Sequence, residues 1–349
     1  MAFLRGDFSK ALRSATLRSK EDAQAFVAKH ADTSAAELGK ALPTIVELST
    51  RQPGPPHQLR CAIFDKLARN AAEPSLFSPC LKALREADDA LTRVLVGLLP
   101  LVNDVSAHVE LCDLLNSTEA GLRAAARDVL TQVGGKSALE YLTKRALEPG
   151  FHGRMEAMNA LVPRAGQHAT PLLSAVLAAG RSLEKIHALR YLDDPDRFRD
   201  PKVPITVARA ALGDKDDLVL AQAITTLGNL GADDLWDAVE PKLRNRGLDV
   251  LRAFLLQVAK RPSEASGAML RDRFRDGPKD VRLTVLDAIE SSGSEHFLPT
   301  LVEALSHRDV ALRTRAAHVL TKLSQEGRID APKAVVWLLK SRDVNVRRL

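Results

Sequence analysis

A twelve-residue pattern returns along most of the chain at intervals of 30 to 35 residues, so the chain must fold as stacked copies of one small unit. Its clearest copy is Asp309-Val310-Ala311-Leu312-Arg313-Thr314-Arg315-Ala316-Ala317-His318-Val319-Leu320. With Arg313 as the anchor, equivalent anchors fall at Arg60, Thr92, Arg123, Arg154, Lys185, Leu220, Arg252, Arg282 and Arg347. Successive spacings are 32, 31, 31, 31, 35, 32, 30, 31 and 34 residues. An apolar or small residue stands three positions after each anchor, from Ile63 through Ala126 and Ala223 to Ala316, and another seven after, from Leu67 to Leu320. Offsets of three and seven lie on one face of a helix.

A second helix-like run precedes each anchor segment, which makes the unit a helical hairpin. Examples are Pro74 to Ala87, Lys136 to Glu148, Asp233 to Asn245, Phe297 to Ser306 and Pro332 to Ser341. Prolines near the start of such runs, as at Pro74, Pro299 and Pro332, cost little where the N–H is unsatisfied anyway. Composition agrees with this. Hydrophobic residues make up 45% of the 349-residue chain but aromatics only 4%, so the core is built from Leu, Ala and Val between closely packed helices. An all-α protein is expected.

These residues resemble the HEAT repeat, in its short HEAT-like or PBS-lyase-type form. The resemblance is carried by Asp309-Val310-x-Leu312-Arg313, Asp343-Val344-x-Val346-Arg347, the alanines three after the anchors, and Leu298-Pro299-x-Leu301. It covers about residues 58–349, with departures at Thr92, at Leu220 and in the 35-residue spacing after Lys185. The resemblance implies a right-handed α-solenoid of stacked hairpins, whose first helices form a convex layer and whose second helices line a concave one. It also implies that Asp and Arg side chains such as Asp309 and Arg313 link neighbouring repeats.

The ends are read differently. Residues 1–50 are helical in pattern but outside the period, as Phe8 to Ser19, Lys20 to His30 and Thr33 to Leu48, with Ser34 and Glu37 spaced as a capping box. They are expected to form an N-terminal cap, followed by a Pro/Gly linker over 51–57 and the array over 58–349. The array lacks a cap at its other end, since Leu349 follows the last anchor by two residues, and we expect either a longer protein or a covering partner there.

No segment approaches the roughly 18 apolar residues of a membrane span, and no signal-peptide core follows Met1. Cys61, Cys80 and Cys112 lack disulfide or zinc spacing. The expectation is a cytoplasmic, bacterial protein without a membrane partner. Charge varies along the chain: residues 1–192 hold 24 basic and 20 acidic side chains, residues 193–241 hold 5 and 11, and residues 242–349 hold 21 and 13.

Phosphate loops, metalloprotease helices, nucleophile elbows and Cys-x-x-Cys pairs are all missing from the sequence. His108 with Cys112, and His307 with His318 and Glu303, read as ordinary structural residues. No enzyme activity, catalytic residue, metal or cofactor is predicted. Positions two, five and nine after each anchor point away from the layer interface and sketch a concave surface. The partner-binding residues expected on it are His187, Arg190, Gln222, Asn229, Phe254, Gln257, Arg261, Arg315, His318 and Lys322, with Phe254 as an exposed apolar anchor.

The resulting reading is a non-catalytic scaffold or adaptor that binds a protein or acidic peptide along its concave face. The alternative is nucleic-acid binding, of the base-excision kind known among HEAT-like proteins, through the basic last third. Acidic residues from Asp193 to Glu240 interrupt a phosphate track. A weaker resemblance is to the HEAT-like subunits of bilin lyases.

Overall fold

A computed structural model describes residues 7–330, apart from Asp233, Arg244, Asn245 and the side chain of Pro195. The described residues are helices joined by short turns, without strands, and they divide into two compact units, Met1–Gly180 and Arg181–Leu349. The hairpin expected at Pro332 to Ser341, with its Arg347 anchor, lies outside the described residues.

The first unit contains α1 (Phe8–Ser14), α2 (Lys20–Lys29), α3 (Ala35–Arg51), α4 (Pro55–Asn70), α5 (Phe77–Leu84), α6 (Asp89–Leu98), α7 (His108–Asp113), α8 (Ala120–Val133), α9 (Lys136–Ala146), α10 (Arg154–Ala165) and α11 (Thr170–Ala179). Its even-numbered helices, α2 to α10, pack in succession as one layer, and the odd-numbered helices form the other. The second unit contains α12 (Ser182–Leu192), α13 (Lys202–Arg209), α14 (Asp217–Asn229), α15 (Leu235–Val239), α16 (Leu248–Ala259), α17 (Glu264–Asp276), α18 (Lys279–Ser292), α19 (Leu298–Leu305) and α20 (Val310–Gln325). Here α12, α14, α16, α18 and α20 again form a continuous layer. From α4 onward these even-numbered helices are the anchor helices of the sequence pattern; α2 precedes the first anchor, Arg60.

Burial explains the pattern. The residues three after the described anchors, from Ile63 to Ala316, and seven after, from Leu67 to Leu320, are all buried. Small alanines at the third position let adjacent helices approach, while leucines at the seventh contribute about 1.5–3 kcal/mol each by leaving water.

At the N terminus the helix bounds differ from the sequence reading. The Ser14 hydroxyl turns back onto the carbonyls of Lys10 and Ala11, at 3.0 and 3.2 Å, and α1 stops there instead of running to Ser19. Ser19 then caps α2. The capping box at Ser34 and Glu37 is formed: Glu37 accepts from the Ser34 N–H at 3.0 Å, and Ser34 from the Glu37 N–H at 3.4 Å. Residues 51–57 are not an extended linker. α3 runs to Arg51, Gly54 turns the chain at φ +86°, and Pro55 opens α4 with its ring preset for the first helical turn. The helical segment expected over Asp233 to Asn245 also contracts. α15 ends at Val239 and a 3-10 turn spans Glu240–Lys242, because Pro241 has no N–H to continue an α-helix.

Candidate protein-binding surface

Eight of the ten side chains expected to face solvent do so in part or fully. Arg190, Asn229, His318 and Lys322 are exposed, and His187, Gln222, Arg261 and Arg315 are half-buried. Phe254 and Gln257 are buried, at 0% and 3% exposure, so neither offers a contact to a partner. Phe254 packs edge-on against Trp236 of α15, with ring centroids 5.6 Å apart at 85°. The reason lies in α16, which is apolar nearly all round: Val250, Ala253, Leu255, Val258 and Ala259 are buried as well. Short α15 leaves room that a large ring fills. Gln257 is buried against Gly228 of α14, where an added Cβ would lie 2.3 Å from its Oε1.

Four of the remaining eight, Asn229, Arg261, Arg315 and Lys322, are fastened to neighbouring anchor helices. Asn229 donates to Asp193 at 2.9 Å and accepts from Lys260 at 2.8 Å, which joins α14 to both adjacent helices of the layer. Arg261 donates to the carbonyls of Gly228 and Ala232, both at 2.9 Å, and its guanidinium lies 5.6 Å from the centre of the Trp236 ring. Arg315 donates to Asp287 at 2.6 Å and also to Glu290; Lys322 reaches Glu290 at 2.8 Å. The Lys322 ammonium leads the effects that hold the Glu290 carboxyl below its ordinary pKa, so it stays ionised. His187 stacks edge-on with Tyr191 at 4.9 Å, and burial, followed by the nearby Arg190, pushes its pKa down. Gln222 sits 3.4 Å from the Thr226 hydroxyl.

Anchor arginines have a further task beside the link expected of them. Arg313 donates to the His307 and Arg308 carbonyls, at 2.8 and 2.9 Å, and Arg123 to those of Ser117 and Thr118, at 2.9 and 3.0 Å. They therefore hold the turn of their own hairpin. Asp309 pairs with Lys279 of the preceding hairpin at 2.9 Å, while Arg123 links forward to Glu156 at 3.1 Å. Asp309 and Arg123 thus make salt links between repeats, while Arg313 serves its own turn.

Among the described residues, His57, Cys61 and Asp88 come together in the manner of a nucleophilic site, where His57 Nε2 lies 3.3 Å from the Cys61 sulfur and 3.1 Å from Asp88. Both contacts use the same ring nitrogen, so the imidazole cannot accept the thiol proton while handing its own to the carboxylate. Burial, then Asp88, pushes the Cys61 thiol up to about 12, away from the nucleophilic thiolate. The group ties α4 to the start of α6, where Asp88 caps the helix by accepting from the Leu91 N–H at 3.0 Å. His108 is buried with Nε2 2.7 Å from Asn103, and the Cys112 thiol is pushed up to about 12 by burial. Among the described residues no group of three or more His, Cys, Asp or Glu is placed to hold a metal ion.

A feature the sequence reading missed stands at the start of the anchor helices of the second unit. Leu183 (73% exposed), Leu218 (55%), Leu248 (45%) and Val310 (63%) occupy the first or second residue of α12, α14, α16 and α20. Polar bonds join the starts of α12, α14 and α16: Arg246 bonds Asp217 at 2.9 Å, the Gly247 N–H bonds Asp217 at 2.7 Å, and Lys185 bonds Asp214 at 2.7 Å. An apolar residue directly after a polar turn was the available signal, hidden because it reads as part of the buried face.

Among comparisons with known proteins, the family model described as HEAT repeats matches residues 267–349. No curated protein matches the chain in sequence. A chain from a solved structure titled "Structural Basis of Tubulin Recruitment and Assembly by Microtubule Polymerases with Tumor Overexpressed Gene (TOG) Domain Arrays" is similar at 12% identity, covering 94% of this chain and 79% of that one, with a TM-score of 0.30. Within the described residues the matched segment is α17 to α20, and the hairpins before it repeat the same buried positions three and seven after the anchor. The chain carries HEAT repeats.

Proposed function

We propose that the protein is a repeat scaffold that binds another protein through the anchor-helix layer of its second unit. The observation that carries this reading is the row of exposed aliphatic side chains at Leu183, Leu218, Leu248 and Val310. Single exposed leucines are ordinary, but their recurrence in the first turns of α12, α14, α16 and α20, four helices of one layer, supplies apolar contact that a protein partner buries. Arg190, Asn229 and His318 provide exposed polar groups on the same layer.

Nucleic-acid binding is less well supported. Of the cations in the basic last third expected to meet phosphate, Arg315 and Lys322 are neutralised by Asp287 and Glu290, and Arg261 is committed to backbone carbonyls. A phosphate track needs positive charge that is free to replace counterions.

Affinity capture from the source lysate, with and without nuclease, tests the proposal when the native chain is compared with a Leu183→Asp, Leu218→Asp, Val310→Asp variant. A discrete protein retained in both arms by the native chain and lost by the variant is the expected result. Recovery that depends on nucleic acid and is indifferent to the variant would refute the reading.

A further inference from the structure

The first unit carries an apolar groove that none of the preceding assignments uses. It has a volume of about 490 Å³ and lies between α2 and α4, with Ala23 and Val27 on one wall, Leu59 and Ala62 on the other, and Lys20 and Lys66 on its rim. The groove exists because alanines stand where larger side chains would close the space between these neighbouring anchor-layer helices. Val27 and Leu59 are half-buried and Ala62 is exposed, so water reaches a surface that is almost wholly hydrocarbon.

Electrostatics select the occupant. The carboxylates close by lie off the groove's lining and have local partners: Asp22 accepts from the N–H groups of Arg18 and Ser19, just before α2, at 2.8 and 3.1 Å, and Asp65 accepts from Arg69 at 2.8 Å. Glu21 is held at the amide end of α2, where its own N–H and the Ser19 hydroxyl lower its pKa. Lys20 and Lys66 are both exposed, and they are the only charged side chains lining the groove. An apolar floor with a cationic rim complements aliphatic side chains flanked by carboxylates.

We propose that this groove docks an acidic amphipathic segment of a partner protein, with its aliphatic side chains seated between α2 and α4 and its carboxylates set against Lys20 and Lys66. The proposal rests on the protein-binding reading, but it concerns a different unit and different residues.

The test uses the full chain and three fluorescein-labelled peptides: a short Glu/Leu amphipathic peptide, its counterpart with Lys in place of Glu, and an oligoglutamate without Leu. Fluorescence anisotropy should show binding of the Glu/Leu peptide alone. Ala62→Glu, which crowds and charges the groove from an exposed position, and Lys66→Glu should each weaken it by about tenfold or more, while Lys242→Glu, at an exposed position of the second unit outside both surfaces, leaves it unchanged. Circular dichroism confirms that each variant retains its helices. Absence of binding, equal binding of the Lys/Leu peptide or the oligoglutamate, or indifference to both groove variants would overturn the proposal. Any of those results leaves the second-unit surface standing, since capture through Leu218 and Val310 does not involve α2 or α4. Conversely, loss of that capture reading leaves the peptide result intact.

Discussion

At the scale of single residues, the charged groups that matter most for the fold are those with no solvent. Arg154 is 2% exposed and donates to the carbonyls of Ala146 and Phe151, both at 2.7 Å, and to that of Glu148. It closes the loop between α9 and α10 by satisfying the buried Ala146 and Phe151 carbonyls and by adding a second bond to the Glu148 carbonyl, which also accepts from the Phe151 N–H at 3.1 Å. Arg154→Leu keeps the apolar stem but strands those carbonyls, so we expect a loss of about 3 kcal/mol in urea unfolding. The sequence pattern marked Arg154 only as an anchor; that its guanidinium is buried follows from a loop path that spacing does not describe. Phe254 shows the opposite case. Counting from Arg252 placed its ring outside, yet the shortness of α15 draws the ring inward against Trp236, a consequence of tertiary space and not of helix period.

At the scale of elements, the hairpins were legible because one helix face must be apolar for helices to stack, and that face writes itself into the sequence at offsets of three and seven. Element ends were less so. Ser14 ending α1, Gly54 turning the chain and Pro241 halting α15 are local events that override a continuing apolar period. The candidate surface was legible only as a set of positions, and its occupancy by internal bonds was not, because those bonds join residues about 30 apart. A recurring example is an arginine beyond or at the end of one anchor helix that caps the preceding one. Arg164 donates to the Thr131 and Gln132 carbonyls at the end of α8, at 2.7 and 2.5 Å, and Arg328 to those of Ser291 and Ser292 at the end of α18. These carbonyls have no intrahelical donor, so the arginine joins a cap to a link between repeats. Arg164→Ala should cost about 1–2 kcal/mol and speed amide exchange at the α8–α9 junction. Exchange confined to α10 would show that the side chain only packs.

At the scale of the whole molecule, stability is tied to pH by two sets of groups. Burial first, and nearby cations or none as the case varies, depress the pKa of His30, His108, His187 and His307. Their unfolded forms bind protons first, so the stability they confer is present above the ordinary histidine value near 6.5 and declines as pH falls below it. Asp214, Asp309 and Glu290 form the second set. Hydrogen bonds and charge from Lys185, Lys279 and Lys322 outweigh burial and hold their carboxyls low. That contribution is present above about pH 4 and is lost as pH falls further, through the folded-state values. Urea titrations across pH should show a shallow decline below about pH 6.5 and a steeper one below about pH 4. A flat profile down to pH 4 would contradict the histidine assignment.

The cation–carboxylate links of the second unit engage Arg315 and Lys322, the cations that the sequence placed on its candidate surface, and exposed aliphatic groups define the proposed binding surface instead. Site-specific photocrosslinking in source cells tests this directly, with benzoylphenylalanine placed at Leu218, at Val310 and, as a comparison, at exposed Glu264 of the opposite layer. The account predicts a discrete protein adduct from Leu218 and Val310 and none from Glu264. Adducts to nucleic acid from the first two positions, or an equal yield of protein adducts from Glu264, would contradict it.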